Sequence, residues 1–227
     1  VLGALLTDCR KVGQVCLEVK DEDFAMNFAN ALTKVTGKKY KIRRNSDYYK
    51  VKLYGATLRY ILSTGLWKLI AWIYPKSFIQ GLFDGDGCVT VSVQTTPQKL
   101  QFSVSVELAN TNIELLNFVQ SLLHIHGIKS KISIKEKAVR SIGKYLTKRD
   151  VFVLRIRSIK DVKEFWIKFG FRVRRKQEKL GDAIKVIQTY RTNIKRVEAW
   201  LKKYVKKNGK WVPRPPPSPS FPLAVTS

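Results

Sequence analysis

Hydrophobic and polar residues alternate in the first third of the chain with two different periods. Val15, Leu17 and Val19 alternate with polar residues, which is the period of a strand that buries one face. Phe24 and Phe28 recur at helical spacing instead, after a run of acidic residues that suits the first turn of a helix. These patterns predict, in order, a strand over 14–20, a helix over 21–36, strands over 39–43 and 48–54, and a helix over 56–73.

The same order of elements begins again after Pro75. Alternating stretches on both sides of residues 96–98 predict a hairpin, and Asn110 is predicted to cap a helix that ends at Gly127. The letters repeat as well, because Gly37-Lys38-Lys39-Tyr40-Lys41-Ile42 parallels Gly127-Ile128-Lys129-Ser130-Lys131-Ile132. An internal duplication is the simplest account, although two chance helix-to-strand junctions in an α+β protein would give the same pattern. Further strands are predicted over 129–137 and 151–157, and further helices over 159–169 and 176–206.

The end of the chain has a different composition. From Val212 onward the sequence is rich in proline, which has no backbone N–H and cannot continue a helix or a central strand. We therefore expect an extended, flexible tail with no part in the core activity. The predicted organisation is a first half over 1–74, a second half with C-terminal helices over 75–206, and the tail over 207–227.

Positive charge dominates the composition, with 43 Lys and Arg against 17 Asp and Glu and a formal net charge of +26. A surface with this charge attracts a polyanion. Nucleic acid fits better than a membrane, because the chain has no apolar run long enough to span a bilayer, no long basic amphipathic helix and no signal peptide. Three cysteines without a CxxC pair favour free thiols in a reducing compartment, so an intracellular protein is expected.

Each half opens with a short apolar helix that contains a glycine and ends in an acid. Gly3 and Gly81 stand five positions before Asp8 and Asp86. Because glycine has no side chain, two such helices can pack closely and bring their terminal acids together. Two neighbouring carboxylates that face a polyanion repel each other unless a cation lies between them, and Mg²⁺ bridging a phosphate fits this position.

The segment Ile79-Gln80-Gly81-Leu82-Phe83-Asp84-Gly85-Asp86-Gly87 resembles the LAGLIDADG motif of homing endonucleases. Val1 to Cys9 resembles a degenerate first copy, in which Cys9 replaces the final glycine and Leu6 the earlier acid. The resemblance covers residues 1 to about 205. It implies an α+β fold of two pseudo-symmetric αββαββα repeats, with saddle-shaped antiparallel sheets and a central two-helix interface.

The same resemblance implies an activity and a site. It implies a monomer that cuts both strands of a long double-stranded DNA site and so mobilises an intron or a similar element. Asp8 and Asp86 would bind the catalytic Mg²⁺, for which Mn²⁺ is a possible substitute. The residues matched by position to the family's solvent pocket are Asp21 and Asn110, at the end of each half's second strand, and the basic residues Arg174 or Lys176, with Lys76 in the opposite half.

Polar residues on one face of the predicted strands are mostly basic. Residues two apart in a strand share a face, and Glu18 and Glu107 are the exceptions to this positive character. A solvated sheet face usually mixes both signs, so contact with DNA phosphates and base edges is favoured. The basic candidates are Lys39, Lys41, Arg43, Lys50, Lys52, Lys129, Lys131, Lys135, Arg155 and Arg157, and the candidates for base readout are Ser92, Gln94, Gln101 and Ser103.

Two other functions are compatible with this fold and these basic faces. An intron maturase binds RNA and assists splicing without cutting DNA, and a regulatory DNA-binding module needs only the scaffold. Both differ from the endonuclease in whether the acids at Asp8 and Asp86 work. The presence of both acids favours the endonuclease.

Overall fold

The structure is a computed structural model, and it describes residues 1–7, 9–10, 15–53, 55–96, 99–137 and 149–215. Three predictions lie outside these residues. They are the metal-binding role of Asp8, the turn at 97–98 and the flexible tail beyond 215.

The first repeat consists of a helix, two strands, a helix, two strands and a further helical segment. Its second helix carries Glu22 and Asp23 in the first turn and ends at Gly37, whose φ of 69° is left-handed. The elements are α1 (Leu2–Leu5), β1 (Cys9–Arg10), β2 (Val15–Val19), α2 (Glu22–Thr36), β3 (Ile42–Asn45), β4 (Tyr48–Leu53), α3 (Ala56–Thr64) and α4 (Trp67–Ile73).

The second repeat follows the same order and then adds two helices and a hairpin. Its first helix begins at Pro75, a residue that suits the first turn because the N–H it lacks has no partner there. The elements are α5 (Pro75–Gly85), β5 (Gly87–Thr96), β6 (Lys99–Asn110), α6 (Ile113–Ile125), β7 (Lys131–Glu136), β8 (Val151–Ile156), α7 (Ile159–Lys168), α8 (Arg174–Thr189), α9 (Asn193–Lys203), β9 (Tyr204–Lys207) and β10 (Lys210–Pro213).

The two four-stranded sheets have the same topology, β1-β2-β4-β3 in the first repeat and β5-β6-β8-β7 in the second. Their second and third strands are antiparallel and carry a cross-strand ion pair at the same place. Glu18 pairs with Lys50 at 3.3 Å, and Glu107 pairs with Arg155 at 3.2 Å. The predicted α+β fold with two pseudo-symmetric repeats is confirmed.

The hydrophobic core of the first repeat lies between its sheet and α2. Leu17 and Val51 are fully buried on the sheet, and Phe28 and Leu32 pack against them from the helix. Each such side chain contributes about 1.5–3 kcal/mol when it is removed from water. The opposite face of the sheet keeps the polar residues, as the alternation predicts.

Two predicted boundaries in the first repeat are wrong. The strand predicted from Lys39 begins only at Ile42, the first residue that pairs with β4, where its partner is Val51. The single helix predicted over 56–73 is two helices, because Gly65 at a φ of 78° ends the first of them.

The predicted helix cap at Asn110 is also wrong. Asn110 is the last residue of β6, and the side chain of Asn112 caps α6 by accepting a hydrogen bond from the backbone N–H of Leu115 at 3.1 Å. Both asparagines suit an N-cap by residue type, so the pattern alone could not separate them.

The helix predicted over 176–206 is two helices followed by a strand. Thr192 starts a new helix, and its hydroxyl accepts from the backbone N–H of Lys195. The tail predicted to be flexible from residue 207 begins instead with a turn and a paired strand. Asn208 and Gly209 both have a left-handed φ, which permits the two-residue turn that joins β9 to β10.

By compactness the chain divides into two units. The first comprises Val1–Thr90 and Val104–Ile184, and the second comprises Val91–Ser103 and the chain from Lys185 onward. The predicted boundary between repeats at residue 74 falls inside the first unit, because α1 and α5 pack together there. No helix in the described part of the chain has the length and apolar character needed to cross a membrane.

Candidate active site

Helices α1 and α5 touch at their glycines. A Cβ atom added to Gly3 would lie 2.2 Å from the backbone oxygen of Phe78, so no larger residue fits this approach. A Cβ atom on Gly81 would lie 3.1 Å from the backbone nitrogen of Ala4, which is a milder crowding. The predicted two-helix interface is therefore present, and its tightest contact is at Gly3.

Asp86 ends α5 as its C-cap residue and is half-buried. One of its carboxylate oxygens, Oδ2, accepts a hydrogen bond from the side-chain amide of Asn110 at 2.8 Å. The amide oxygen of Asn110 accepts in turn from the backbone N–H of Asn112 at 2.9 Å. This chain of two bonds sets the direction of the Asn110 amide and, through it, the orientation of the carboxylate.

Asp84 is buried two residues before Asp86 at the same end of α5, with 3% of its surface exposed. Its Oδ1 atom accepts from the backbone N–H groups of Arg172 at 2.9 Å and of Val173 at 3.1 Å. Burial raises the pKa of Asp84 to about 6, against these two hydrogen bonds and the charge of Lys176, which lower it. Asp84 thus fastens the α7–α8 connection to the end of the motif helix.

Lys176 also binds the end of α5. Its ammonium group donates to the backbone oxygens of Phe83, Asp84 and Gly85, the first and last at 3.0 and 3.1 Å. A cation at a helix C-terminus satisfies carbonyl groups that have no partner within the helix. Lys176 is buried, and burial lowers its pKa. This geometry supports a role for Lys176 in positioning the backbone that leads to Asp86. It does not place Lys176 in a solvent pocket.

Asp21 has a position in the first repeat that corresponds to Asn110 in the second, since each follows the paired glutamate of its sheet by three residues. Its environment differs. Both carboxylate oxygens of Asp21 accept from the guanidinium of Arg175, one of them at 2.7 Å. The hydrogen bond to Asp21 raises the pKa of Arg175. The neighbouring Asp23 accepts from the backbone N–H of Arg174 at 2.6 Å, so α8 begins docked on the start of α2.

The other two basic candidates lie elsewhere. Lys76 is exposed in the first turn of α5, ten residues before Asp86, and a helix rises about 1.5 Å per residue. The structure therefore does not bring Lys76 to the end of α5 that holds the acid. Arg174 is exposed and pairs with Glu178 at 2.7 Å within α8.

The basic candidates of the first sheet come together in one groove. Its volume is about 460 Å³, and none of the described residues that line it is acidic. Arg43 and Lys50 are direct cross-strand neighbours there. The described lining residues are Lys38, Lys39, Tyr40, Lys41, Arg43, Lys50 and Lys52.

The second sheet distributes its basic candidates differently. Arg155 bonds to Ser133 at 3.0 Å besides its pair with Glu107, and Lys131 is its cross-strand neighbour. Lys135 lies at a break in the pairing between Ile134 and Glu136, so it is not aligned with the rest of β7. Lys129 precedes β7 and Arg157 follows β8, and both are exposed.

The four candidates for base readout belong to the second unit. They lie on the polar side of β5 and β6, opposite buried residues such as Val91 and Phe102, as the alternation predicts. They are Ser92, Gln94, Gln101 and Ser103, all partly or fully exposed.

Several contacts of the site were not predicted from the sequence. Gln80, inside the motif, donates to the backbone oxygen of Phe169 at 2.7 Å and accepts from Arg172 at 3.2 Å. These partners are about 90 residues apart in the chain, and no local pattern reports such pairings. The contacts of Asp84 were also not predicted. The available signal was its place in the motif, as an acidic residue two positions before Asp86.

Sequence and structure comparisons place these features in a family. A model described as LAGLIDADG-like domain matches residues 74–199. An uncharacterized protein of Methanocaldococcus jannaschii is 30% identical over 183 residues, which cover 75% of this chain and 63% of that protein. The chain thus spans less than two thirds of the length of this relative.

Solved structures of homing endonucleases share the fold. I-DmoI in complex with DNA and Mn has a TM-score of 0.51 at 20% identity, over 74% of this chain and 92% of that chain. The meganuclease I-SmaMI bound to uncleaveable DNA has a TM-score of 0.58 at 10% identity, over 92% of this chain and 96% of that chain. With the repeated sheets, the glycine-packed helices and the family match over more than half of its length, this chain belongs to the LAGLIDADG family.

Proposed function

We propose that this protein is a homing endonuclease that recognises a long double-stranded DNA site and hydrolyses a phosphodiester bond in each strand. One observation carries the proposal: the motif helix α5 ends in Asp86, whose carboxylate is held by Asn110 at 2.8 Å beside the tightly packed pair of motif helices. Asp8 is the corresponding acid of the first repeat. The protein acts inside the cell as a monomer, with one acid from each repeat, and its activity mobilises an intron or a similar element.

A hard divalent cation suits the end of α5. The carboxylate of Asp86 provides oxygen ligands, and the negative end of the helix dipole adds to its attraction for a cation. Within the described ranges no group of three or more His, Cys, Asp or Glu side chains converges. Mg²⁺ commonly needs only one or two carboxylates besides phosphate oxygens and water, so Asp86 and Asp8 suffice to hold it. When bound, Mg²⁺, or Mn²⁺ in its place, supplies Lewis acidity toward the scissile phosphate and its attacking water.

The surrounding residues hold Asp86 in place. Asn110 sets the rotation of the carboxylate, and Lys176 and Asp84 fix the backbone from which Asp86 projects. Arg175 neutralises Asp21, which removes a second negative charge from the approach of a polyanion in the first repeat. Each of these contacts lowers the cost of reorganisation when DNA binds.

The basic groove of the first sheet supplies phosphate contacts. Five lysines and Arg43 line it, and because only Lys50 among these described residues is paired with an acid, Glu18, the groove keeps a net positive charge that attracts a polyanion. The polar faces of β5 and β6 carry amide and hydroxyl groups, including Gln94 and Gln101, that can hydrogen-bond base edges in the major groove. The structures of I-DmoI and I-SmaMI bound to DNA support this assignment by their fold.

Cleavage of a randomised duplex library tests the proposal. The intact protein is first used to enrich bound sequences, and the enriched pool is then incubated with Mg²⁺ or Mn²⁺. We expect double-strand breaks at one site, lost in Asp86→Asn and in Asp8→Asn although binding remains. Asp47→Asn, in the exposed β3–β4 turn, makes the same chemical change away from α5 and should cut normally.

Two results would overturn the proposal. Tight duplex binding without cleavage in either metal would leave a regulatory DNA-binding module. Preferential binding of a structured intron RNA, again without DNA cleavage, would indicate a maturase.

A further inference from the structure

We propose that the β9–β10 hairpin is a separate DNA-binding element, whose lysines contact phosphates of the duplex backbone. The inference rests on the endonuclease function for its ligand, and it concerns a different surface from the strand faces described above. The hairpin runs from Tyr204 to Pro213, beyond residue 199, where the match to the LAGLIDADG-like domain ends.

The charge of this part of the chain has one sign. Residues 199–215 contain six Lys and Arg and no acidic residue. Lys206, Lys207 and Lys210 are exposed on the hairpin, and within the described residues none of them has an ion-pair partner. A surface held at this charge density without acids is complementary to a polyanion.

The pairing of the hairpin brings two of these charges directly together. Lys207 and Lys210 are cross-strand partners beside the turn at Asn208 and Gly209. Like charges in directly opposite positions destabilise an antiparallel pair. A phosphate bound by each ammonium group would offset this repulsion, so the pair is suited to two neighbouring phosphates of one DNA backbone.

The hairpin is fastened within its own unit. The indole N–H of Trp211 donates to the backbone oxygen of Val91 at 2.8 Å, and its ring meets Trp200 edge-on at 6.0 Å between centroids. Arg214 donates from its side chain to the backbone oxygen of Leu201 at 2.7 Å and from its backbone to Lys203 at 2.8 Å. The lysines at the turn thus project from a backbone that is already held in place. Less conformational entropy is therefore lost when they bind a ligand.

The salt dependence of DNA binding tests the proposal. The dissociation constant of the full chain for a random-sequence duplex is measured without divalent metal between 50 and 300 mM KCl. Each phosphate contact contributes about 0.9 to the slope of log K against log salt. We expect Lys207→Gln with Lys210→Gln to lower the slope by about 1.8, equally for every duplex sequence, and Lys207→Glu with Lys210→Glu to weaken binding further.

A matched variant shows whether the fall in slope comes from contacts at the hairpin or from the lower net charge of the protein. Lys160→Gln with Lys163→Gln removes the same charge from the exposed surface of α7, whose neighbours include Asp161 and Glu164, and should leave the slope unchanged. Thermal unfolding of the Lys207→Gln with Lys210→Gln variant should show no loss of stability, because this substitution relieves the repulsion at the turn.

Three outcomes would overturn the proposal: an unchanged slope in both hairpin variants, an equal fall in slope in the α7 control, or a fall seen with single-stranded RNA but not with duplex DNA. The assay does not depend on cleavage. A protein that never cuts DNA but shows the fall in slope contradicts the endonuclease and leaves the hairpin contact standing.

Discussion

Asn110 and Asn112 are two residues apart, and the structure gives them separate tasks. Asn110 holds the carboxylate of Asp86, whereas Asn112 caps α6. Asn110→Ala should lower the cleavage rate by about 10- to 100-fold, as loss of a ligand-orienting contact does. Asn112→Ala should lower the free energy of unfolding by about 1 kcal/mol and leave the rate nearly unchanged.

Single-turnover cleavage and chemical denaturation of both variants measure these two effects. A proportional loss of rate and stability in each variant would show that both asparagines act only through the fold. Metal titration adds a further readout for Asn110→Ala, because a misoriented Asp86 should require more Mg²⁺ for half-maximal rate.

Asp84 makes stability depend on pH with an unusual sign. Its pKa is raised from 3.8 to about 6 by burial, so between these values the folded protein binds a proton that the unfolded chain releases. The stabilisation by this proton is complete below pH 3.8 and is lost as the pH rises through 6. A shift of about two units corresponds to about 3 kcal/mol.

Asp84→Asn keeps an oxygen that can accept from Arg172 and Val173 but has no charge to bury. Relative to the parent protein, this variant should gain about 3 kcal/mol of unfolding free energy between pH 4 and pH 7. Urea denaturation of both proteins without metal measures the difference. A difference that stays constant with pH would show that burial does not raise the pKa of Asp84.

Lys176 satisfies three backbone oxygens at the end of α5. Lys176→Met keeps most of the side-chain volume but leaves these oxygens without their donor, so a loss of about 2–4 kcal/mol in unfolding free energy is expected. Lys185→Met changes an exposed lysine of the same helix and should shift stability by less than about 0.5 kcal/mol. Equal stability of the two variants would contradict the role of Lys176 at the helix end.

At the scale of elements, the crossing of α1 and α5 is asymmetric. A methyl group on Gly3 would lie 2.2 Å from a backbone oxygen that cannot move alone, whereas on Gly81 its nearest neighbour would be at 3.1 Å. Gly3→Ala should therefore cost about 3 kcal/mol or more, in the range of severe overpacking, and Gly81→Ala about 1 kcal/mol or less. Thermal unfolding compares them, and equal losses would mean that the helices do not cross at Gly3.

The elements themselves were largely predictable, because periodicity reports burial. The hairpin of β5 and β6 follows from the alternation of residues such as Phe102 and Val104 with polar neighbours, and both are buried as expected. The break between α8 and α9 was not predictable, because apolar residues keep helical spacing across it. The turn at Asn208 and Gly209 was a readable hairpin signal that the proline content of the tail obscured.

The site was predictable only in part. The glycine-to-acid spacing indicated α5 and Asp86, since both act within one element. Arg175 on Asp21 and Lys176 on α5 join residues more than 90 positions apart, and their pairing depends on how the repeats pack. The residue type shows that a lysine carries a positive charge. Only the fold decides whether that charge faces solvent or binds the carbonyl oxygens at a helix end.

At the scale of the whole molecule, the net charge of +26 has two opposite consequences. Self-repulsion opposes the compact state of the free protein, and the same charges attract DNA. The repeat architecture concentrates several of them in the groove of the first sheet, where Lys50 is paired with Glu18 and the other described lining residues are basic or aromatic. Binding to a polyanion therefore stabilises the protein in two ways, through the contacts that form and through the neutralisation of this repulsion.

Salt should then act with opposite signs on folding and on binding. The Debye length falls from about 10 Å at 0.1 M to about 3 Å at 1 M, so added salt screens repulsion within the free protein. Raising NaCl from 50 to 500 mM should raise the Tm of the free protein by a few degrees, while DNA affinity falls along the slope set by phosphate contacts. A free-protein Tm that stays flat or falls as NaCl rises would show that repulsion between the positive charges does not destabilise the folded protein. DNA would then stabilise the protein only through the contacts that it forms.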